Sequence, residues 1–214
     1  LDRLEKGTLL SDFNDEWKVI EHNHNNREDE KLQKKYTRPQ DAHLLYNLMI
    51  NMPPRHSKST YATSLFPSYY LARNPTRFSM TASYNSQLAT DFGRAQRQYL
   101  QHEETNLVFP DFALSKDSRA MDVFRTTEGG AAYNIGMGAT TSGRPANLLS
   151  LDDPIKSRTE ADSATQRQKA WDYYTSALTT RLQPDTNGEH PIQIVCYTRW
   201  HPDDLGSRIM QTED

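Results

Sequence analysis

The sequence predicts an α/β fold with a mainly parallel central sheet and helices on both of its faces. Two observations lead there. Short apolar runs bounded by turn residues alternate with longer stretches that carry helix-start signals, the rhythm of a parallel sheet with helical crossovers. Three of the strand-like runs end in polar, chemically able residues, at 52–59, 152–153 and 198–201. Ligands of open parallel sheets sit outside the carboxyl ends of the strands, so three such ends mark one edge as the place to look.

The elements follow in order. Residues 1–35 are polar and rich in charge and Asn, and read as a segment outside the core. His22 and His24 have no carboxylate or Cys at a metal-ligand spacing and read as surface loop. Thr37-Arg38-Pro39-Gln40 is an extended or turn segment, because the residue before Pro avoids the helical region. Leu44 to Ile50 is a short apolar run that stops at Asn51-Met52-Pro53-Pro54, as a buried strand does. Lys58 to Ala72 reads as a helix closed by Asn74-Pro75, and Arg77 to Ala82 as a second strand. Asn85 or Ser86 caps a helix from about Gln87 to Gln101. Phe109 to Arg125 has little periodicity. Five glycines between Gly129 and Gly143 predict a short hairpin and a loop. Leu148 to Leu151 is a strand that ends in Asp152-Asp153-Pro154. Asp162 or Ser163 caps a helix over about 165–181, and Ile192 to Tyr197 is a last strand ending in Thr198-Arg199-Trp200.

Composition limits the function classes. The 214 residues suit one domain with appendages. The apolar share is only 35% and the mean hydropathy −0.87, but 10% aromatic content argues against a disordered chain. No run approaches the ~18 apolar residues of a membrane span, and nothing at the start reads as a signal peptide. The start at Leu1 rather than Met fits a trimmed piece. A single cysteine, Cys196, excludes an intramolecular disulfide framework and a multi-Cys zinc site. The net charge of −3 excludes a uniformly basic nucleic-acid binder. Charge is uneven, however: residues 51–150 carry net +3 between flanks of −2 and −4, which suits local binding of an anion.

Met52-Pro53-Pro54-Arg55-His56-Ser57-Lys58-Ser59 lies between a predicted strand and a predicted helix. The phosphate-loop pattern G-x-x-x-x-G-K-[ST] has that context. Lys58-Ser59 fits its last two positions, with Met52 and Ser57 where it has glycines. Lysine supplies a point charge to outer phosphates, the hydroxyl a ligand to Mg²⁺, and the helix N-terminus donor N–H groups. Arg55 and His56 add donors. Ser57 stands where the pattern favours glycine and needs another backbone conformation, or strain. Asp152 and Asp153 stand 93 and 94 residues after Ser59 at another strand end. There one acid can hold a metal shell and the next can orient or deprotonate water. Thr198 at the third strand end is placed to sense a phosphoryl group.

These segments together resemble the large terminase subunits of tailed bacteriophages. The resemblance rests on Asn51 to Ser59, Leu148 to Lys156, and Thr198-Arg-Trp-His-Pro-Asp-Asp-Leu205. Ala82-Ser-Tyr-Asn-Ser-Gln-Leu-Ala89 and Trp171-Asp-Tyr-Tyr-Thr-Ser176 add to it, in the family's order across residues 36–210. It implies a RecA-like P-loop ATPase domain of the additional-strand type over 36–214, binding ATP and Mg²⁺. It implies translocation of double-stranded DNA into a procapsid by a ring of copies, pentameric when assembled. The portal protein and the small terminase subunit are the implied partners, the host cytoplasm at the portal vertex the implied place, with no membrane. Carried over, Pro54, Arg55, His56, Ser57, Lys58, Ser59 and Thr60 form the nucleotide loop, and Gln40 contacts adenine. Ser59 and Asp152 hold the metal. Asp153 takes the place of the catalytic carboxylate, often Glu in the family, and Ser57 that of a common Gly. Thr198 and Arg199 lie in the coupling motif. Arg144 is the candidate arginine supplied to a neighbouring copy's site, with Arg119 and Arg125 as alternatives. The family's C-terminal nuclease is not expected of this chain. A nucleotide-binding assembly module without turnover and a helicase-like ATPase are the competing functions.

Overall fold

A computed structural model describes residues 47–118 and 120–212. The segment 1–35, Gln40, His22, His24 and Arg119 lie outside the described residues. Six strands form one sheet in the order β1-β6-β5-β2-β4-β3. They are β1 (Asn47–Asn51), β2 (Phe78–Ser83), β3 (Val123–Arg125), β4 (Ala131–Gly136), β5 (Leu148–Asp152) and β6 (Ile192–Tyr197). Every neighbouring pair is parallel except β3–β4. The chain is thus an α/β protein with a mostly parallel sheet. Among the described residues no helix is long and apolar enough to cross a membrane.

The connections cover both faces. A π-helical turn, Thr60–Leu65, runs straight into α1 (Phe66–Arg73) and leads from β1 to β2. After β2 come α2 (Ser86–Leu100) and α3 (Glu103–Val108). Between β5 and β6 lie α4 (Arg158–Asp162) and α5 (Ala164–Tyr173). α5 continues through a π-turn, Tyr174–Leu178, and a 3₁₀ turn, Thr179–Arg181. α6 (Leu205–Thr212) follows β6. Alternation along the strands divides the core. Met80, Ala82, Leu149, Leu151, Val195 and Tyr197 pack with Tyr174, Leu178, Leu205 and Ile209 on one face. On the other, Leu148, Ile194 and Cys196 meet Ala62 and Tyr70, while Phe124 and Ala132 meet Leu71, Leu100 and Phe112.

The second face also holds a polar layer. Asn134, Thr81 and Ser150 lie side by side in register on β4, β2 and β5, all buried. Gln96 of α2, 1% exposed, donates to Thr63 O at 2.7 Å and to Thr81 Oγ1 at 2.9 Å. One side chain therefore ties α2 to the turn after β1 and to a central strand.

Most expected elements stand within a residue or two, and two differ. The glycine-rich stretch is not a self-contained hairpin. Its first half, β4, is a fully buried strand parallel to β2, and its antiparallel partner β3 comes from the aperiodic segment before it. Close packing explains the small residues: a Cβ on Gly136 would stand 2.4 Å from Ser86 N at the start of α2. The helix over 165–181 starts on a Ser163 cap but passes into π and 3₁₀ turns.

α2 approaches β4 closely enough to need a glycine at its centre. A Cβ on Gly93 would lie 1.8 Å from Met121 O and 2.8 Å from Asn134 Nδ2. Gly93→Ala is expected to cost about 2 kcal/mol, despite the better helix propensity of alanine, and to lower Tm by several degrees in a calorimetric melt.

Candidate active site

The carboxyl ends of β1, β5 and β6 meet at one place because β6 lies between the other two. Ile50 and Asp152 both stand in register with Cys196. The loop after β1, Met52 to Ser57, is exposed along its whole length, and the helix begins at Lys58. Two of its residues have left-handed backbone, Arg55 (φ 66°) and Ser57 (φ 59°). Ser57 thus adopts the glycine-favouring conformation that its place in the pattern demands, at the cost of strain. His56 Nδ1 lies 2.9 Å from Pro54 O, and Tyr61 N donates to Ser57 O, which closes the first helical turn. The side chains of Arg55, His56 and Thr60 face solvent.

Two side-chain pairs join this loop to the acidic strand end. Ser59 Oγ donates to Asp152 Oδ1 at 2.8 Å, across 93 residues of chain. Lys58 Nζ donates to Asp153 Oδ2, also at 2.8 Å. The pleat sorts the acids. Asp152 still belongs to β5 and points to the face covered by the helix that begins at Lys58, 2% exposed. Asp153 is past the strand, with φ 39°, and its N–H donates to Cys196 O. Its Oδ1 accepts the backbone N–H of Thr198 at 2.8 Å. Thr198 therefore acts through its main chain. Arg199 turns the other way, bonding Ser207 Oγ and lying 3.7 Å from Asp204 at the start of α6.

Burial pushes the Asp152 carboxyl up to about 6 from an ordinary 3.8, although the Ser59 hydroxyl pulls it down. Burial also works against the Lys58 charge, but its hydrogen bond to Asp153 and the charges of both acids outweigh that and raise its pKa. The Cys196 thiol is pushed up to about 12 by burial and then by the Asp152 charge. Ser59 Oγ and Asp152 Oδ1 are hard oxygen donors a hydrogen bond apart, and the buried carboxylate lacks a full counter-charge. That pair fits Mg²⁺, which is held by one or two protein oxygens, phosphate and water. Among the described residues no group of three or more His, Cys, Asp or Glu side chains forms a metal cage.

Lys58, Ser59, Asp152, Asp153 and Thr198 are brought together. Arg144 is not part of this cluster. It lies four residues before β5, towards the opposite end of that strand from Asp152, with its guanidinium 5.7 Å from the centre of the Tyr133 ring. Arg125 pairs with Ala131 at the start of β4, also away from the acids. Cys196 and Gln96 were not marked by any motif. The one signal for Cys196 was its place in the run between the two motif-bearing strands. In comparisons with known proteins, no family model matches the chain, and neither does any curated protein.

Two outcomes follow from this geometry. The raised Asp152 pKa contributes stability that is complete below about pH 4 and is lost as pH rises through about 6. Two pKa units correspond to about 3 kcal/mol. Relative to wild type, Asp152→Asn should therefore gain about that much between about pH 4 and pH 8 in denaturant titrations. At Ser57 the backbone accepts glycine and resists a β-branched residue. Ser57→Gly should melt at or above the wild-type temperature, and Ser57→Val should lose about 1–2 kcal/mol.

Proposed function

We propose that this chain is an ATP-hydrolysing motor domain of the large-terminase kind, which drives double-stranded DNA into a procapsid. The observation that carries the reading is the meeting of Lys58-Ser59 with Asp152-Asp153 through two 2.8 Å contacts. The strand order supports it: β6 stands between the phosphate-loop strand and the acidic strand, as an additional-strand P-loop fold requires.

In this reading the exposed loop and the helix N-terminus receive the phosphates, and Lys58 binds the outer ones. Ser59 and Asp152 hold Mg²⁺, which supplies charge neutralisation for the phosphate oxygens. Asp153 accepts the proton of the attacking water while Thr198 N–H fixes its other oxygen. Thr198 and Arg199 then connect the site to α6, because the first holds Asp153 and the second holds Asp204 and Ser207. Gln40 is assigned to adenine, and Arg144 to the site of a neighbouring copy, since it stands away from its own. The portal, the small subunit and a pentameric ring in the host cytoplasm belong to the same proposal and rest on the sequence resemblance. One observation favours the alternative of a binding module without turnover: both oxygens of Asp153 are already engaged.

Steady-state phosphate release on the assembled protein separates the two. Wild type is expected to turn over, and Lys58→Ala and Asp153→Asn to fall at least 100-fold. Lys58→Ala should also lose nucleotide affinity, and Asp153→Asn should lose none. Wild-type rates in both variants would refute the assignment. Tight binding with no turnover in wild type would establish the alternative.

A further inference from the structure

Lys58 and Asp153 form an ion pair at 2.8 Å across the fold. Lys58 is buried and Asp153 is its sole hydrogen-bond acceptor among the described residues. The carboxylate is held from behind at two points, through its own N–H on Cys196 O and through Oδ1 on Thr198 N–H. Only Oδ2 reaches forward to the ammonium.

We infer that Asp153 occupies the anion position of Lys58, and that phosphate binds by displacing this carboxylate. The inference rests on the nucleotide-hydrolase reading and adds a regulation to it. A buried ammonium aimed at one carboxylate is not free for a phosphate, so apparent affinity falls by the fraction of molecules in which the pair is open. Displacement also sets Oδ2 free while Oδ1 stays on Thr198. The group that must accept a proton from water is thus engaged while the site is empty, and released already oriented when a phosphate arrives. Idle proton abstraction is suppressed, and the nucleotide itself switches the carboxylate on.

Calorimetric titrations of the full chain with ADP, a non-hydrolysable ATP analogue and inorganic pyrophosphate test this, in wild type and in Asp153→Asn. Asparagine tolerates the left-handed backbone at this position and keeps an oxygen for Thr198. If that variant does not fold, Asp153→Gly suits the same backbone. The expected result is binding at least tenfold tighter in the variant, by the same factor for all three ligands, because the charge-assisted bond to Lys58 is the common obstacle. A gain that grows from ADP to the ATP analogue would indicate plain repulsion near the terminal phosphate and overturn the displacement. Equal affinities in wild type and variant overturn it and leave the ATPase reading standing. Tighter pyrophosphate binding without either nucleotide supports the displacement and overturns the ATPase reading. No binding of any ligand to either protein overturns both.

Discussion

A carboxylate buried at the end of a central strand is the constraint around which the molecule is arranged. Asp152 is 2% exposed, and one hydroxyl, that of Ser59, donates to it across the fold. A charge so placed is costly unless it is paired or neutralised. The fold bears that cost because β5 is covered on both faces and its neighbours are pinned in register. The helix that begins at Lys58 must then start within hydrogen-bond reach of β5, although β6 separates β1 from β5. Burial accordingly raises the Asp152 pKa, and the Ser59 hydroxyl offsets only part of that rise.

The helix that begins at Lys58 is held in place by polar contacts as well as apolar packing. Its π-turn directs Thr63 O at Gln96, and Ser68 Oγ donates to Ser64 O within the same stretch. π-turns recur at functional sites because they interrupt the regular ladder where a helix must bend or shift. Here the interruption sits one turn from Lys58 and Ser59. Gln96 ties this helix to α2 and β2, and the Ser59–Asp152 bond ties it to the acidic strand.

Much of this was legible in the sequence. The runs of β2, β5 and β6 are bounded by turn residues and covered on both sides, so apolar continuity alone located them to within a residue. The pairing of Lys58-Ser59 with Asp152-Asp153 was legible because strand ends of a parallel sheet converge on one edge. β4 was not legible, since its Ala and Gly residues look like a turn until α2 is seen lying against them. The Lys58–Asp153 bond depends on β6 being inserted between β1 and β5 and on the left-handed backbone at Asp153. Neither leaves a periodic trace. Gln96 sits in a run of polar residues on α2 and reads as solvent-facing. Its burial follows from the polar face of the sheet, which is visible only once Thr81, Ser150 and Asn134 are in register.

The backbone at Asp153 also bears on which acid the position accepts. At φ 39° the chain has already turned out of β5. A two-bond side chain spans Lys58 Nζ and Thr198 N–H at once, each at 2.8 Å. Glutamate, one methylene longer and less at ease in left-handed backbone, would have to fold back on itself to hold the same two donors. The choice of aspartate, where the family that the sequence resembles often has glutamate, is therefore a matter of reach set by a single main-chain torsion. Side-chain length and loop conformation at this strand end can change only together.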